Sequence, residues 1–240
     1  MRFPIQCYDD FYKDPELVRN YALQLPYGSK GGVYPGLRTA ELGEYDKNFH
    51  NATTFKFLSL CDDFDQPEYE VLVETYFQKI WRFSKDKDDP LNVGWVHADT
   101  NTVLAGLVYL SPEPDPNAGT TIYSMKKDAI IPKWMIKDPT VPDKSKCFRE
   151  VLASEIACPI DSIKDYGNMI VDNNNLFEPT VVIKNKYNRM IAYDGDQHHG
   201  MTTCWMDNDE DFRLTQVFFI KKIACPEDKF PNVRCNRYGI

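Results

Sequence analysis

Trp95-Val96-His97-Ala98-Asp99, followed after a short gap by Thr102-Val103-Leu104-Ala105-Gly106-Leu107-Val108-Tyr109-Leu110, is the stretch that decides the fold. The β-branched and aliphatic run predicts a strand, and Ser111-Pro112-Glu113-Pro114-Asp115-Pro116-Asn117-Ala118-Gly119 behind it predicts a turn. Thr120 to Ser124 then reads as the answering strand of a hairpin. Along an extended chain alternate residues share a face, so His97 and Asp99 point the same way and can converge on one ion. A lone His-x-Asp is more often structural or exposed. Its weight here comes from two further pieces placed in order downstream. Tyr193-Asp194-Gly195-Asp196-Gln197-His198-His199-Gly200 supplies a further imidazole, and Arg213-Leu214-Thr215 opens the last long strand. Two imidazoles and one carboxylate leave about half of an octahedral site open, the facial arrangement of non-haem Fe(II) oxygenases.

Further strands are expected at Pro179 to Lys184 and Asn188 to Tyr193, joined at Asn185-Lys186, and at Arg213 to Ile223. Toward the N-terminus, Phe3 to Phe11 reads as extended. Asp14 is a helix cap, Pro15 suits the first helical position and Glu16 the positive end of the dipole. Leu17, Val18, Tyr21, Ala22 and Leu25 then recur at helical spacing up to Pro26. Residues 27–54, rich in Gly, Tyr and polar side chains, read as a long excursion with short strands. Gln66 to Phe83 carries Val71, Leu72, Thr75, Tyr76, Ile80 and Phe83 at spacings that predict a second supporting helix. Residues 125–170 break the strand pattern with Pro132, Pro139 and Pro142, a helical Cys147 to Ile156 and a further loop. A segment of that length in a compact fold suggests an insert or lid. Together these elements predict a mainly β (α+β) fold, a double-stranded β-helix or jelly roll with N-terminal supporting helices, in one domain spanning 1–240.

Composition narrows the function classes. A chain of 240 residues, 42% hydrophobic, suffices for one large core, and a net charge of −8 argues against general nucleic-acid binding, which needs basic surface. No apolar run of about eighteen residues and no signal-peptide h-region are present, so a soluble, cytoplasmic protein without a membrane partner is expected. The seven cysteines are an odd number with no C-x-x-C pair, which fits a reduced compartment rather than a disulfide framework or zinc ribbon.

The ordered set resembles the Fe(II)/2-oxoglutarate-dependent dioxygenase superfamily, with the prolyl-hydroxylase-like branch as the nearest part of it. The phrases Tyr34-Pro35-Gly36-Leu37-Arg38, Tyr109-Leu110, Gly119-Thr120, Tyr187-Asn188-Arg189 and Leu214-Thr215-Gln216-Val217-Phe218-Phe219 are similar to those of an uncharacterised bacterial and phage group within it. The motifs cover roughly residues 91–124 and 179–220. The resemblance implies that His97, Asp99 and a third His bind Fe(II), that 2-oxoglutarate and O2 are consumed, and that a C–H bond of a peptide or protein side chain, or of a small molecule, is hydroxylated. It places the protein in the cytoplasm of a bacterium or a phage-infected host. A Y-x-G-x-x-x-H frame counted from Tyr193 selects His199, and an H-x-G frame selects His198, leaving the other imidazole as a donor near the substrate.

Arg213 has a chemical reason for its expected role. A guanidinium matches a carboxylate bidentately, and Thr215, two residues on, shares its strand face, so the two can hold the distal carboxylate of 2-oxoglutarate. The competing reading is a salt bridge from Arg213 to Asp207, Asp209 or Asp211. Tyr109 and Thr121 are weaker cosubstrate-pocket residues with an alternative as core. Arg38 either meets an anionic group of a substrate at the site mouth or is a structural Arg in a turn. Two rival functions remain: a cupin-like metal enzyme that does not use 2-oxoglutarate, in which Arg213-x-Thr215 has no role, and a non-catalytic jelly-roll binding protein.

Overall fold

The chain runs β1 (Gln6–Tyr8), α1 (Pro15–Gln24), β2 (Leu37–Arg38), α2 (Leu42–Tyr45), α3 (Lys47–Cys61), β3 (Glu70–Ile80), β4 (Leu104–Tyr109), β5 (Thr120–Met125), α4 (Ile160–Asn174), β6 (Phe177–Ile183), β7 (Met190–Asp194), β8 (His199–Met201) and β9 (Arg213–Ala224). The computed structural model describes residues 4–28, 34–61, 70–99, 101–130 and 160–224. The expected helix Cys147 to Ile156 lies outside the described residues, as do residues 131–159 of the expected insert.

Two antiparallel sheets form the body: a six-stranded sheet in the order β1-β7-β4-β9-β3-β2 and a three-stranded sheet in the order β6-β5-β8. Alternation along β4, β7 and β9 sorts their side chains into two cores. Leu104, Val108, Met190, Ala192, Leu214, Phe218 and Ile220 face the helices, where Phe57 of α3 stacks on Phe218 with ring centroids 4.6 Å apart. Ala105, Leu107, Tyr109, Ile191, Tyr193 and Val217 face the other way and meet Ile122 and Ile183 of the small sheet. The large sheet is therefore covered on both faces, and its central strands read as nearly continuous apolar runs rather than clean alternations.

That double coverage explains the expectation that fails at Gln66 to Phe83. Residues 70–80 are a strand, β3, paired with β9 and β2, and not a supporting helix. Val71, Val73 and Phe77 pack in the helix-facing core while Tyr76 packs in the core between the sheets. With apolar residues on both faces, period 2 and period 3.6 are hard to tell apart, and the β-branched and aromatic content decides for the strand.

The supporting helix lies earlier. Within the stretch expected to be irregular, Asp46 accepts a hydrogen bond from the Phe49 N–H at 2.9 Å and caps α3. Its buried face includes Thr53 and Thr54 alongside Phe57, Leu58 and Cys61, and those threonines hide the apolar periodicity. α1 is as expected, with Asp14 accepting from the Leu17 N–H at 3.0 Å and Val18 and Ala22 buried, although Leu17 itself is exposed. Residues 160–174, of which those up to 170 are expected to be loop, form α4.

The expected hairpin is also corrected. β4 and β5 belong to different sheets, so the proline-rich segment after β4 carries the chain across the molecule instead of folding it back. β6 and β7 are likewise split between the sheets. Pro112, Pro114 and Pro116 have no N–H to continue a ladder. The two crossings are tied together where the Asn185 N–H donates to Pro116 O at 3.0 Å and its side-chain amide to Ala118 O at 3.2 Å.

The second crossing is also tied to the N-terminal strand. Asp9, just after β1, accepts from Arg189 Nε at 2.6 Å and Lys186 Nζ at 2.7 Å, and these donors hold its carboxyl down at about 2. A depressed carboxylate pKa stabilises the fold above the unfolded value and loses that contribution as pH falls through the folded one. Asp9→Asn is therefore expected to lower stability at pH 7 by about 1 kcal/mol or less, given solvent screening at this exposed site. Thermal melts of both proteins should converge as pH drops from about 4 to 2; a difference that persists at pH 2 rules the ion pair out as its cause.

Candidate metal centre

The site begins with two short extended pieces laid side by side. The Gly94 N–H donates to Met201 O at 2.9 Å, His97 N–H to His199 O at 3.0 Å, and His199 N–H to His97 O at 2.8 Å. This pairing attaches the His-x-Asp segment to β8 and sets the two histidines opposite one another. Gly94 permits the approach, because a Cβ there would stand 2.5 Å from Met201 N. Asp99 is fixed by its N–H to Gly195 O at 2.9 Å. Gly195 in turn lies so close to Thr102 that a Cβ would fall 1.9 Å from its carbonyl oxygen.

The other edge of the His97 segment is held by α4. Asn174 Oδ1 accepts from Val96 N–H at 3.0 Å, Asn174 Nδ2 donates to Gly94 O at 2.9 Å, and Asn173 Nδ2 donates to Val96 O at 2.9 Å. Two asparagine amides thus act as a short strand. Sequence reasoning misses both residues, which fall between the loop expected up to residue 170 and the strand expected from Pro179; the adjacent Asn-Asn-Asn run at 173–175 is the available signal. Replacing Asn174 with Ala is expected to weaken divalent-metal affinity about tenfold, the size of effect usual for groups that orient ligands. Titration with Mn(II) checks this, with circular dichroism to establish that the variant folds.

His97, Asp99 and His199 each present a ligand atom within 4.8 Å of the others. His97 Nδ1 lies 2.8 Å from Trp95 O, and His199 Nδ1 2.9 Å from Gln197 O. A carbonyl only accepts, so both Nδ1 atoms carry the proton and both Nε2 atoms turn a lone pair toward Asp99. Each Nε2 is 3.6 Å from an Asp99 oxygen, too long for a hydrogen bond. Burial and the neighbouring His97 push the His199 imidazole down to about 4, so it is neutral at physiological pH. Burial raises the Asp99 carboxyl, but His97, His199 and Arg38 together hold it below the usual range. Asp99 Oδ2 is buried without a hydrogen-bond partner. Two imidazole Nε2 atoms and an ionised carboxylate, converging from three residues, fit a divalent cation.

His198 goes elsewhere. Adjacent strand residues face opposite ways, and its ring lies 4.7 Å from that of Phe177 while His199 lies 4.4 Å from Tyr193. Of the two frames open in the sequence, the tertiary arrangement brings His199 to His97 and Asp99.

Arg213 stands at the start of β9, 4% exposed. Its Nε donates to Ala118 O at 3.1 Å, a terminal nitrogen reaches Thr120 Oγ1 at 3.4 Å, and the guanidinium lies 5.2 Å from the Tyr109 ring centroid. The Tyr109 hydroxyl is 2.8 Å from the same Thr120 Oγ1. Among the described residues no carboxylate pairs with Arg213. Asp209 of the preceding acidic loop is taken by Arg82 at 2.6 Å and Lys85 at 3.0 Å, and Asp211 accepts from Asn208 at 2.9 Å. Thr215 Oγ1 is buried with no partner. A buried guanidinium without an anion beside a buried hydroxyl without a partner is costly unless a ligand completes both.

One cavity of about 470 Å³ joins these parts, lined by His97, Asp99 and His199 at one place and by Thr120 and Arg213 at another. Arg38 lines it as well. Tyr109 and Thr215 are not among its lining residues, and Thr121 is engaged with Thr202 at 2.8 Å between their hydroxyls.

The fold is similar to that of solved structures. HygX from Streptomyces hygroscopicus with nickel and 2-oxoglutarate bound matches at a TM-score of 0.51 and 14% identity, covering 90% of this chain and 82% of that one. The same protein with hygromycin B also bound matches at 0.50, with the same identity and coverage. A Pseudomonas putida prolyl-4-hydroxylase matches at 0.42 and 9% identity over 92% of this chain and 93% of that one, a score too low to add to the argument. At these identities the likeness is one of fold: a jelly-roll-like oxygenase fold in which the His-Asp-His cluster sits. The chain belongs to the family described as "Family of unknown function (DUF6445)", whose model matches residues 2–204 and so spans the His-Asp-His cluster but stops short of Arg213. No curated protein matches the sequence. Among the described residues, no helix is long and apolar enough to cross a membrane.

Proposed function

We propose that this protein is a non-haem Fe(II)- and 2-oxoglutarate-dependent dioxygenase on a double-stranded β-helix, hydroxylating a C–H bond of a peptide or protein side chain or of a small molecule. The observation that carries the reading is the pair of unmet demands in one cavity. His97, Asp99 and His199 offer lone pairs and negative charge at one place, and Arg213 offers buried positive charge with no carboxylate partner among the described residues at another. In this reading His97, Asp99 and His199 hold Fe(II), which with 2-oxoglutarate and O2 supplies the oxidising chemistry. Arg213 and Thr215 bind the distal carboxylate of 2-oxoglutarate, and the Tyr109–Thr120 pair orients the guanidinium. The Nδ1–H bonds of both imidazoles fix the tautomer and ring orientation that leave Nε2 free to ligate. No side chain is needed as nucleophile or general base.

The test is anaerobic loading with Fe(II), addition of 2-oxoglutarate and air, and measurement of succinate. Release that depends on both iron and 2-oxoglutarate, even slowly and without a primary substrate, is expected. Stoichiometric metal binding with no 2-oxoglutarate binding and no succinate would instead favour a cupin-like metal site.

A further inference from the structure

Beyond the metal and Arg213, the same cavity holds a second cation that the proposed chemistry does not use. Arg38 in β2 is half-buried and lines the cavity wall. Only its Nε has a hydrogen-bond partner among the described residues, Gln78 Oε1 at 3.1 Å. Gln78 is itself anchored by donating to Pro35 O at 2.6 Å, so the guanidinium plane is set from behind. Its carbon lies 4.0 Å from the Tyr34 ring centroid and 5.2 Å from that of Phe219, a cation–π seat that holds the group without neutralising it. Both terminal nitrogens are left with no partner among the described residues. Burial lowers the Arg38 pKa to about 10, which leaves it charged at neutral pH.

Next to this cation the surface turns apolar. A smaller alcove of about 40 Å³ is lined by Leu91, Trp95, Tyr166, Ile170 and Met201, and it shares Tyr34, the ring beneath Arg38, with the main cavity. The alcove adjoins the cavity that holds the Arg38 fork and the metal cluster, since Tyr34, Pro35, Gly94, Trp95 and Met201 line both. Resting on the oxygenase reading, we infer that Arg38 is the specificity-determining residue for the primary substrate, and that the substrate carries a carboxylate next to a small aliphatic group. The carboxylate meets the free terminal nitrogens of Arg38, and the aliphatic group enters the alcove beside Trp95.

Glu74 also lines the cavity, and Lys221, a further cation of its lining, lies 3.8 Å from Glu74. A carboxylate matches the two terminal N–H groups of the single Arg38 fork. Arg213 is distinguished from Arg38 by its surroundings, since it sits against Tyr109 and Thr120 rather than against the alcove.

Binding of N-acetylleucine and of its primary amide, measured by NMR line broadening and by Trp fluorescence, tests this, since the two probes differ only in the group offered to Arg38, an anionic acceptor pair in one and a neutral amide in the other. Measurements use the protein loaded with Zn(II) and saturating 2-oxoglutarate, so that turnover cannot occur, and are repeated on metal-free protein. Preference for the carboxylate of about tenfold or more is expected, surviving without metal and abolished in Arg38→Gln, with 2-oxoglutarate affinity unchanged in that variant. Arg38→Lys should recover only part of it. Equal binding of the two probes, or a preference that Arg38→Gln leaves intact, overturns the inference. So does displacement of the acid by 2-oxoglutarate, which would mean that it had occupied the cosubstrate position at Arg213. Failure of the oxygenase reading has a different signature: no metal or 2-oxoglutarate binding, whatever the two probes do.

Discussion

Asp99→Ala is expected to lower divalent-metal affinity by well over about 100-fold, more than the 10–100-fold cost of losing an outer hydrogen-bond partner of a ligand. The reason is that Asp99 is the only anion among the three residues of the cluster; an imidazole that ligates through Nε2 does so as a neutral donor, and the Nδ1 atoms of His97 and His199 are held by backbone carbonyls. The same substitution should leave the metal-free fold intact. Asp99 Oδ2 is buried without a donor, so its removal forfeits no hydrogen bond at that atom, and the loss is confined to the carboxylate's attraction to His97, His199 and Arg38. Its backbone N–H to Gly195 O is untouched by a side-chain change. Anaerobic titration with Fe(II) or Mn(II), beside thermal melts of the metal-free proteins, reads both effects. Unaltered affinity would defeat the assignment of the carboxylate as a ligand and favour the non-catalytic reading.

Arg213→Gln carries the second large effect, which falls on ligand binding and leaves stability nearly unchanged. Truncating one partner of a buried charge pair costs about 2–5 kcal/mol, so 2-oxoglutarate affinity should fall by roughly 30-fold to several thousandfold. In the ligand-free protein the guanidinium has Ala118 O and Thr120 Oγ1 as acceptors but no counter-ion among the described residues. Its replacement should therefore cost little stability, and melting of the ligand-free variant should stay near that of the parent. A structural Arg would give the reverse, a destabilised protein whose 2-oxoglutarate affinity is normal. Arg213→Lys should not rescue binding, since an ammonium cannot reproduce the bidentate fork. Calorimetric titration of 2-oxoglutarate into metal-loaded protein distinguishes these outcomes.

The residues that carry these predictions differ in how far the sequence exposes them. His97-x-Asp99 and Arg213-x-Thr215 are visible because strand alternation is a local rule: residues two apart share a face wherever the strand is placed. The strands at residues 104–109, 120–125, 177–183, 190–194 and 213–224 are legible from their β-branched and aliphatic runs between turn residues, and α1 from its cap. Asn173 and Asn174 are not, because their role is to pair with the backbone of Gly94 and Val96 some eighty positions away. β3 reads as a helix because burial on two faces erases the alternation that marks a strand. α3 escapes notice because Thr53 and Thr54 stand at core positions where an apolar side chain would have shown the helical period.

What the sequence determined by itself was thus the mainly β class and the inventory of site chemistry, both written in local spacing. Which strands share a sheet was decided by tertiary structure. β4 and β5 look like a hairpin in the chain, yet each is held by remote partners, β7 and β9 for one and β6 and β8 for the other. The choice between His198 and His199 was tertiary as well. Adjacent residues in a strand face opposite sides, and only the pairing of His97 with His199 and the packing of His198 on Phe177 show which side holds Asp99. Local periodicity says that two groups share a face; long-range pairing says what that face meets.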